Sequence, residues 1–366
     1  MACKFTRRFL AAALCSMAAL ASAQSWPTKN VTIVVPFPAG GTTDVLARAV
    51  STKLSAAIGQ SVIVENKPGA GATLGAAVVA KAPADGHTLL MGAVHHTVAT
   101  SVYKNLQYSF EKDFAPITTV ALVPNVLVVS ANGPYNSVND LVAAGKASPE
   151  KLSYGSNGNG TAQHMIGTQF QIETGAKVLH VPYKGSAPLT TDLLGGQVDM
   201  SFDTITPVLP FIKEGKLKAL AVTTAKRSST LPNVLTLQEA GIPNIAIGTW
   251  FGLLAPAATP RSVVARLNSE VVKIIHSPEF RKQMLDIGAE PIGNKPEEMA
   301  RKRPKSLPSW SRRAGSPWTE SGHQISGEPH GQSSSSRGSN LPDVEVHFVH
   351  RQAATHRRDP KTGGAS

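Results

Sequence analysis

The chain has 366 residues, a formal net charge of +12 and two cysteines, and 42% of its residues are hydrophobic. Residues 1–23 hold three basic residues and no acidic one, and residues 301–366 carry a surplus of six, which leaves +3 for residues 24–300. So mild a charge over the bulk of the chain gives no reason to expect a nucleic-acid partner. Residues 24–300 are long enough for one large domain or for two of about 100–150 residues.

The first 23 residues have the pattern of a secretory signal peptide. Basic residues come first, an apolar run follows over residues 9–20, and the A-x-A sequence at 21–23 is typical of a cleavage site. The run is too short to span a membrane. Leu14 stands before Cys15, where lipidation requires a small residue, so a lipoprotein is disfavoured. We expect cleavage after Ala23, which removes both cysteines, excludes disulfide and thiol chemistry, and places the mature protein in the periplasm.

The predicted elements begin with a strand, a turn and a helix. Residues 31–35 (VTIVV) predict a strand buried on both faces. A turn with prolines and glycines follows, and the TTD sequence at 42–44 is of the types that cap helices. The apolar residues within 45–58 recur on one helix face, and Gly59 ends the helix. A glycine turn before a helix N-terminus is either an anion site or an ordinary connection in an α/β protein.

Strands and helices continue to alternate along the chain, which is typical of an α/β fold with mostly parallel sheet. Within residues 115–130 we predict two extended segments that Pro124 separates. The other predicted elements are strands at 62–66, 88–92, 152–156, 178–182, 198–202, 217–223 and 249–255, and helices at 76–81, from Ser137 to near Lys146, from Thr161 to Thr174, and from Thr259-Pro260 to residue 276.

The chain is expected to enter a second α/β unit near Asn125 and to return near Thr249. Two crossings predict two lobes that are joined by a hinge and separated by a cleft. We therefore predict lobe I from residues 24–124 together with 249–300, and lobe II from residues 125–248, each with a mostly parallel sheet flanked by helices.

A second glycine-rich turn, SNGNGT at 156–161, opens the helix that carries His164. If the two turns come from opposite lobes, their helix N-termini face each other across the cleft and suit a small anion with a negative group at each end. Neither turn is a nucleotide motif, because there is no P-loop and the glycines at 69–75 have the wrong spacing for a dinucleotide fingerprint. Lys184 is either a cation at the cleft or an ordinary solvated lysine.

A secreted α/β hydrolase is the alternative function, because Ser156, His164 and Asp203 are of the types that form a catalytic triad. There is no G-x-S-x-G elbow, however, and the interpretation favoured for His164 is that it orders its own loop or helix start. Asp203 follows a predicted strand at the edge where open α/β sheets bind ligands, and it would bond either a ligand donor or a backbone N–H. His95 and His96 would point to opposite faces of a strand, so we expect no metal site and no cofactor.

Eight segments carry a family resemblance: PFPAGGTTD (36–44), VENKPGAGATLGA (64–76), DGHTLLMG (85–92), YGSNGNGTAQH (154–164), HVPYKGSAP (180–188), LLGGQVDMSFD (193–203), LKALAVTTAKRS (217–228) and WFGLLAPAATP (250–260). In this order they resemble the substrate-binding receptors of tripartite tricarboxylate transporters, the Bug-type periplasmic solute receptors. The resemblance spans about residues 27–300. It implies a two-lobed type II periplasmic binding-protein fold that closes on a small organic carboxylate.

The same resemblance implies the partners and the ligand contacts. The partners are the membrane components of a tripartite tricarboxylate transporter, and we expect a monomer. Main-chain amides and ordered water would hold the ligand, and the family usually has a proline where this chain has Ala39. The positions that match the ligand-contact loops are Phe37, Pro38, Ala39, Gly40, Gly41, Thr42, Thr43, Asp44, Gly92, Ala93, Ser156, Asn157, Gly158, Asn159, Gly160, Thr161, His164 and Asp203.

The resemblance ends after residue 300, where the family continues into an amphipathic helix that packs on the first lobe. This chain continues instead with RKRPKSLPSW and a polar, basic tail that has only six Leu, Ile or Val among 66 residues. Such a composition buries too little apolar surface to offset the entropy of ordering, so we predict that residues 301–366 are disordered. The abrupt change is what a shift of the reading frame would produce.

Deletion of residues 301–366 is therefore expected to change the melting temperature little, whereas restoring an amphipathic helix after Ala300 should raise it. At about 25 cal/mol per Å², covering a few hundred Å² of apolar surface contributes several kcal/mol, against a whole stability of about 5–15 kcal/mol. Scanning calorimetry of the three proteins measures the difference. A fall of many degrees on deletion would show that the tail is a folded part of the protein.

Overall fold

The computed structural model describes residues 26–302, apart from Lys104 and Glu150. The predicted signal peptide lies outside these residues, and so does the predicted tail except for its first two residues. Those two are helical, because they end a helix that begins at Pro296 and has two glutamates in its first turn. Met299 of that helix is buried against the sheet beside Gly252, so the helix is anchored by packing.

The strands of the described region form one mixed sheet in the order β2-β1-β3-β9-β4-β7-β5-β6, with β8 and β10 also paired to β4. Their bounds are β1 (Val31–Val35), β2 (Val62–Asn66), β3 (Thr88–Ala93), β4 (Phe114–Ser130), β5 (Ser153–Ser156), β6 (Leu179–Pro182), β7 (Met200–Thr204), β8 (Leu217–Val222), β9 (Gly248–Pro256) and β10 (Glu290–Pro291).

Helices flank the sheet. They are α1 (Thr42–Ile58), α2 (Thr73–Ala80), α3 (His95–Val102), α4 (Val138–Ala147), α5 (Ala162–Thr174), α6 (Ser186–Leu194), α7 (Ile205–Lys213), α8 (Arg261–His276), α9 (Pro278–Asp286) and α10 (Pro296–Lys302), and a 3₁₀ turn (Ala70–Ala72) precedes α2. Across residues 26–302, leaving aside the two positions not described, no helix is both long and apolar enough to cross a membrane.

The outer parts of the sheet are parallel, as the sequence predicts, but its centre is antiparallel. Strand β1 runs parallel to β2 and β3, and β5 runs parallel to β6 and β7. Strand β9 lies antiparallel to both β3 and β4, and β4 is also antiparallel to β7 and β8. The mostly parallel sheet of the prediction is therefore a mixed one, because β4 and β9 are long strands that join the two parallel parts.

Pro124 does not break β4, contrary to the prediction of two segments. The strand runs unbroken over 17 residues. Residues up to Pro124 pair with β9, and from Asn125 onward the strand pairs with β7 and β8. A proline lacks the N–H that a sheet ladder needs. Here that loss falls where the strand changes partner, and the fixed φ of proline suits an extended chain.

Most of the apolar core is divided at the same point, although Val94 and Val98 pack with Ala162 and Met165 across the division. One set of buried residues comes from 31–123 and 251–289, around β1, β3, α1 and α8. Two further sets come from residues 126–245. This distribution supports the division into lobe I (24–124 with 249–300) and lobe II (125–248), whose boundaries we retain as a proposal.

Local signals account for several helix ends. Ser137 and Asp140 form the reciprocal capping box of α4. Thr161 caps α5, and Gly175 ends it in the left-handed conformation. Two helix starts differ from the prediction. Helix α1 has Gly41 as its N-cap, without a side-chain hydrogen bond, and α8 begins at Arg261 with Pro260, not Thr259, as its N-cap. In α1 the capping types Thr42, Thr43 and Asp44 lie inside the helix instead.

Candidate functional site

Five helices begin around one internal cavity of about 30 Å³. The strands β1, β3, β5, β6 and β7 lead directly into α1, α3, α5, α6 and α7. Because strand ends that lead into helices meet at one edge of each parallel part, the helix N-termini converge there. The residues that line the cavity are Phe37, Pro38, Gly41, Thr42, Thr43, His95, Asn157, Ala162, Gln163, Ser186, Thr204, Thr249 and Phe251.

We call this cavity the inner cavity. Its electrostatic character comes from the protein backbone. The first N–H groups of a helix have no carbonyl partner within it, and they lie at the positive end of its dipole. Thr42 and His95 are the first residues of α1 and α3, and Ala162 and Ser186 are the first residues of α5 and α6. Among the described residues that line the cavity there is no lysine or arginine. The arrangement suits an anion held by neutral donors.

The predicted loop at 37–44 divides into residues that line the cavity and residues that hold the loop. Phe37, Pro38, Gly41, Thr42 and Thr43 line the cavity, whereas Ala39 and Gly40 are exposed.

Asp44 faces away from the inner cavity and fixes the loop. Its carboxylate accepts bonds from Arg48 Nε at 2.9 Å, Asn66 Nδ2 at 2.9 Å and the backbone N–H of Gly40 at 3.1 Å. Burial by itself raises the pKa of Asp44, but these hydrogen bonds and the Arg48 charge outweigh it, so the pKa lies below its ordinary value. The carboxylate thus holds the loop at the start of α1 in place and does not line the inner cavity.

The second predicted turn, at 156–161, is likewise held by its own side chains. Asn157 lines the inner cavity, and Gly158 lines the outer cavity described below. Thr161 Oγ1 donates to Gly158 O at 2.7 Å. His164 Nδ1 accepts from the backbone N–H of Gly160 at 3.1 Å. Thr161 and His164 therefore order the turn and do not line either cavity. For His164 this is the alternative to a role in a catalytic triad.

Asp203 is completely buried and orders one wall of the inner cavity. Its Oδ1 accepts from Thr204 N at 2.8 Å, Asn157 Nδ2 at 3.1 Å, Ser186 Oγ at 3.2 Å and Gln163 Nε2 at 3.3 Å. All four of these partners line the cavity. Burial raises the pKa of Asp203 above its ordinary value, although the hydrogen bonds counteract part of that effect.

Gly92 and Ala93 lie behind the cavity in strand β3, where they pair with Gly252 and Phe251 of β9. His95 lines the cavity shortly after them as the first residue of α3, so the two histidines lie on a helix and not on a strand.

The two adjacent histidines have different surroundings. His95 Nε2 is buried and has no hydrogen-bond partner among the described residues. Burial, aided by the neighbouring His96, lowers its pKa well below the ordinary value, so the ring is neutral. His96 Nδ1 accepts from Ala93 N at 3.1 Å, and burial lowers the pKa of His96 to about 4. In the described part of the chain, no group of three or more His, Cys, Asp or Glu side chains is placed to hold a metal ion.

An outer cavity of about 330 Å³ adjoins the inner one, since Phe37, Pro38 and Asn157 line both. Its other lining residues are Pro68, Gly69, Ala70, Gly71, Ala72, Gly158, Tyr183 and Lys184. Lys184 is thus a cation at the cleft, which was one of the two interpretations of this residue. Among the described residues that line the outer cavity, it is the one with a charged side chain.

Residues predicted to lie in opposite lobes touch across the cavities. Thr42 Oγ1 and Thr204 Oγ1 are 2.7 Å apart, and Tyr103 Oη donates to Asn159 O at 3.0 Å. Gly71 must be glycine for this approach, because its φ is +56° and a Cβ there would clash with Asn159 O. Asn159 and Gly160 therefore contribute to the contact between the lobes, with Gly160 facing Val102.

The comparison with known proteins decides the family. A family model described as "Tripartite tricarboxylate transporter family receptor" matches residues 46–308. The chain belongs to this receptor family.

Solved structures of similar proteins agree with the family model. The periplasmic binding protein BugD is 38% identical, with a TM-score of 0.76 over 79% of this chain and 99% of that one. Rpa4515 of R. palustris, solved with adipate, is 39% identical, with a TM-score of 0.74 over 76% and 93% of the two chains. MatC (Rpa3494) from Rhodopseudomonas palustris, solved with bound malate, is 32% identical, with a TM-score of 0.72 over 75% and 95%. The predicted α/β periplasmic binding-protein fold is confirmed.

The hydrolase alternative is not supported. Ser156 Oγ lies 2.7 Å from His180 Nε2, a histidine that the predicted triad does not include. Burial lowers the pKa of His180 to about 4. The bonds of Asp203 go to the cavity wall, and Ser156 has no exposed surface from which to attack a substrate. The Ser–His contact instead ties the turn at 156–161 to strand β6.

Sequence reasoning missed several lining residues of the receptor. Phe251 and Thr249 reach the cavity from β9, and Thr204 reaches it from the end of β7. His95, Ala162, Gln163 and Ser186 reach it because each stands within the first two residues of a helix. A helix start directly after a strand is the one local signal that could have indicated the last four.

Substitution of Asp203 should change the pH dependence of stability. Because the folded-state pKa is raised, the folded protein binds this proton up to a higher pH than the unfolded chain does. The carboxyl therefore destabilises the fold progressively as the pH rises from its ordinary pKa through the raised one. We expect the stability of Asp203→Asn relative to wild type to improve between pH 4 and pH 7, measured by urea unfolding.

Asp203→Ala is the matched comparison. It removes the acceptor of five donors on four residues, so it should lower the free energy of unfolding by about 3 kcal/mol at both pH values. A relative stability of Asp203→Asn that stays constant or worsens between pH 4 and pH 7 would contradict the raised pKa.

Proposed function

We propose that this protein is a periplasmic receptor that captures a small organic carboxylate between two lobes and delivers it to the membrane components of a tripartite tricarboxylate transporter. The observation that carries the proposal is the convergence of five helix N-termini on a cavity whose described lining has no cationic side chain. Backbone amides and neutral side chains bind a carboxylate without requiring a particular charged partner. Two relatives, solved with adipate and with malate, support a carboxylate as ligand.

The proposed ligand contacts are the predicted residues that line a cavity together with four that the prediction lacked. From the prediction they are Phe37, Pro38, Gly41, Thr42, Thr43, Asn157 and Gly158, and the additions are His95, Gln163, Ser186 and Thr204. Among the other predicted residues, Asp44, Thr161 and His164 would act by holding these loops. We also propose that the signal peptide is cleaved after Ala23, that the receptor acts in the periplasm as a monomer, and that the lobes meet at Pro124–Asn125 and Gly248–Thr249.

A thermal-shift screen followed by calorimetric titration tests the ligand class. Malonate, succinate, malate, adipate and benzoate are suitable probes, with glucose and lysine as controls. A ligand at 100 times its dissociation constant should add about 2.7 kcal/mol of stability. Failure of all the carboxylates to bind while glucose or lysine binds would overturn the proposal.

Gly41→Val should abolish most of the carboxylate binding without unfolding the protein. Gly41 has extended backbone angles that any residue adopts, and a Cβ there would meet only Ser186 Oγ at 3.8 Å. The added side chain would therefore intrude between the lobes. We expect affinity to fall roughly 10- to 100-fold, equivalent to about 1.4–2.8 kcal/mol of overpacking. Ala39→Val, at an exposed position of the same loop, is the control, and equal affinities of the two variants would contradict the proposed site.

Ligand binding should also close the two lobes. Strands β4 and β9 form the connection, and groups such as Thr42 and Thr204 meet only when the lobes approach each other. We expect the radius of gyration in small-angle scattering to decrease when a ligand of measured affinity saturates the protein. Scattering curves that superpose with and without that ligand would exclude the closure.

A further inference from the structure

We infer that Asn157, oriented by Asp203, selects carboxylates that carry a hydrogen-bond donor on the carbon next to the carboxylate, as 2-hydroxy and 2-amino acids do. The inference rests on the proposed function, since it assigns the ligand class of the same site. It starts from the orientation of one amide group.

The amide of Asn157 has a determined orientation. Its Nδ2 lies 2.8 Å from Ser186 Oγ and 3.1 Å from Asp203 Oδ1. A carboxylate oxygen only accepts hydrogen bonds, so the group that faces Asp203 must be the donating nitrogen. Both amide hydrogens are then engaged, one with the hydroxyl and one with the carboxylate.

The oxygen of the same amide is left without a partner. Asn157 Oδ1 is buried and has no hydrogen-bond partner among the described residues. Because the amide is planar, this oxygen faces away from Ser186 and Asp203. An unsatisfied buried acceptor costs free energy until a donor reaches it, and an ionised carboxylate has no donor to offer. The missing donor must therefore come from another group of the ligand.

The position of Asn157 decides where on the ligand that donor lies. The inner cavity, at about 30 Å³, has room for a group of carboxylate size, or for about two water molecules. Asn157 lines both this cavity and the outer cavity of about 330 Å³. A ligand whose carboxylate occupies the inner cavity thus passes Asn157 with the carbon directly attached to that carboxylate, while the rest of the molecule extends into the outer cavity.

The two sides of the inner cavity complement such a ligand. Thr42 and Thr43 supply the N-terminal amides of α1, and the neutral His95 has an unpartnered Nε2, so this side favours the carboxylate. On the opposite side Gln163 Nε2 also donates a hydrogen bond to Asp203 Oδ1, at 3.3 Å. Each of the two amide side chains thus directs its nitrogen to Asp203, and the oxygens of Asn157 and Gln163 are the acceptors on offer to a hydroxyl or an ammonium group.

Matched ligand pairs test the selection. By calorimetry we expect the wild-type protein to bind malate about tenfold more tightly than succinate, and lactate about tenfold more tightly than propionate. Aspartate and alanine, compared with the same partners, distinguish an ammonium donor from a hydroxyl donor. Equal affinities within every pair would overturn the inference and leave the proposed function intact, whereas failure of every carboxylate to bind would overturn both.

Two variants assign the selection to Asn157. Asn157→Leu keeps the approximate volume and removes the oxygen, so the malate-to-succinate ratio should fall to near one. Asp203→Ala, which removes the acceptor that orients the amide, should reduce the ratio in the same direction and serves if the first variant does not fold. Gln169→Leu is the control, since this buried amide bonds Asn244 O away from both cavities. A ratio that persists in both site variants would overturn the inference.

Discussion

The long antiparallel pairing of β4 with β9 is the constraint on which the rest of the structure depends. It runs from the pair Phe114 and Pro256 to the pair Pro124 and Gly248. At its end β4 changes partner, and Asn125 lies opposite Thr204 of β7 and donates to Thr249 Oγ1 at 3.0 Å. Thr204 and Thr249 both line the inner cavity. The connection between the two parts of the sheet is therefore also the floor of the site, so a change in the angle between the parts acts directly on the cavity.

The charge distribution around that floor is unusual for an anion site, because its described lining holds no cation and a buried carboxylate lies directly behind it. Helix N-termini provide the positive potential. Asp203 reduces that potential in part, because its negative carboxylate accepts hydrogen bonds at the starts of α5, α6 and α7. The His95 ring in the lining is neutral, since burial lowers its pKa well below the ordinary value. A site built in this way binds an anion by geometry, and it discriminates among anions through the acceptors that remain unpaired.

The contact between Ser156 and His180 shows why pairs of residue types do not by themselves establish catalysis. The two side chains are within hydrogen-bond distance, and His180 stacks on His164 with ring centroids 4.0 Å apart. Ser156 is fully buried, however, and its hydroxyl also contacts the backbone of Gly158. The same groups that could serve as a nucleophile and a base elsewhere here stiffen the loop that carries Asn157, which agrees with a receptor and not an enzyme.

Local sequence determined the elements whose signals lie within a few residues of one another. The strand Val31–Val35, the capping box of Ser137, the cap at Thr161 and the glycine ends of α1 and α5 could all be predicted, because capping, periodicity and left-handed glycines act within one helical turn. Recurring segments also identified the family, and with it the fold and the two loops that approach the cavity.

Only the tertiary structure decided which of the predicted residues face the cavity. Asp44 and Asp203 are both acids at the ends of strands or starts of helices. Asp44 holds its own loop through Arg48, whereas Asp203 orders the neighbouring Thr204 and three lining residues from other segments. Ser186 and Gln163 have no distinguishing motif, and they reach the site because β5, β6 and β7 run parallel and deliver their helices to one edge. These roles depend on contacts between residues far apart in the chain, such as Thr42 with Thr204, and such contacts form only when the sheet brings the strand ends together.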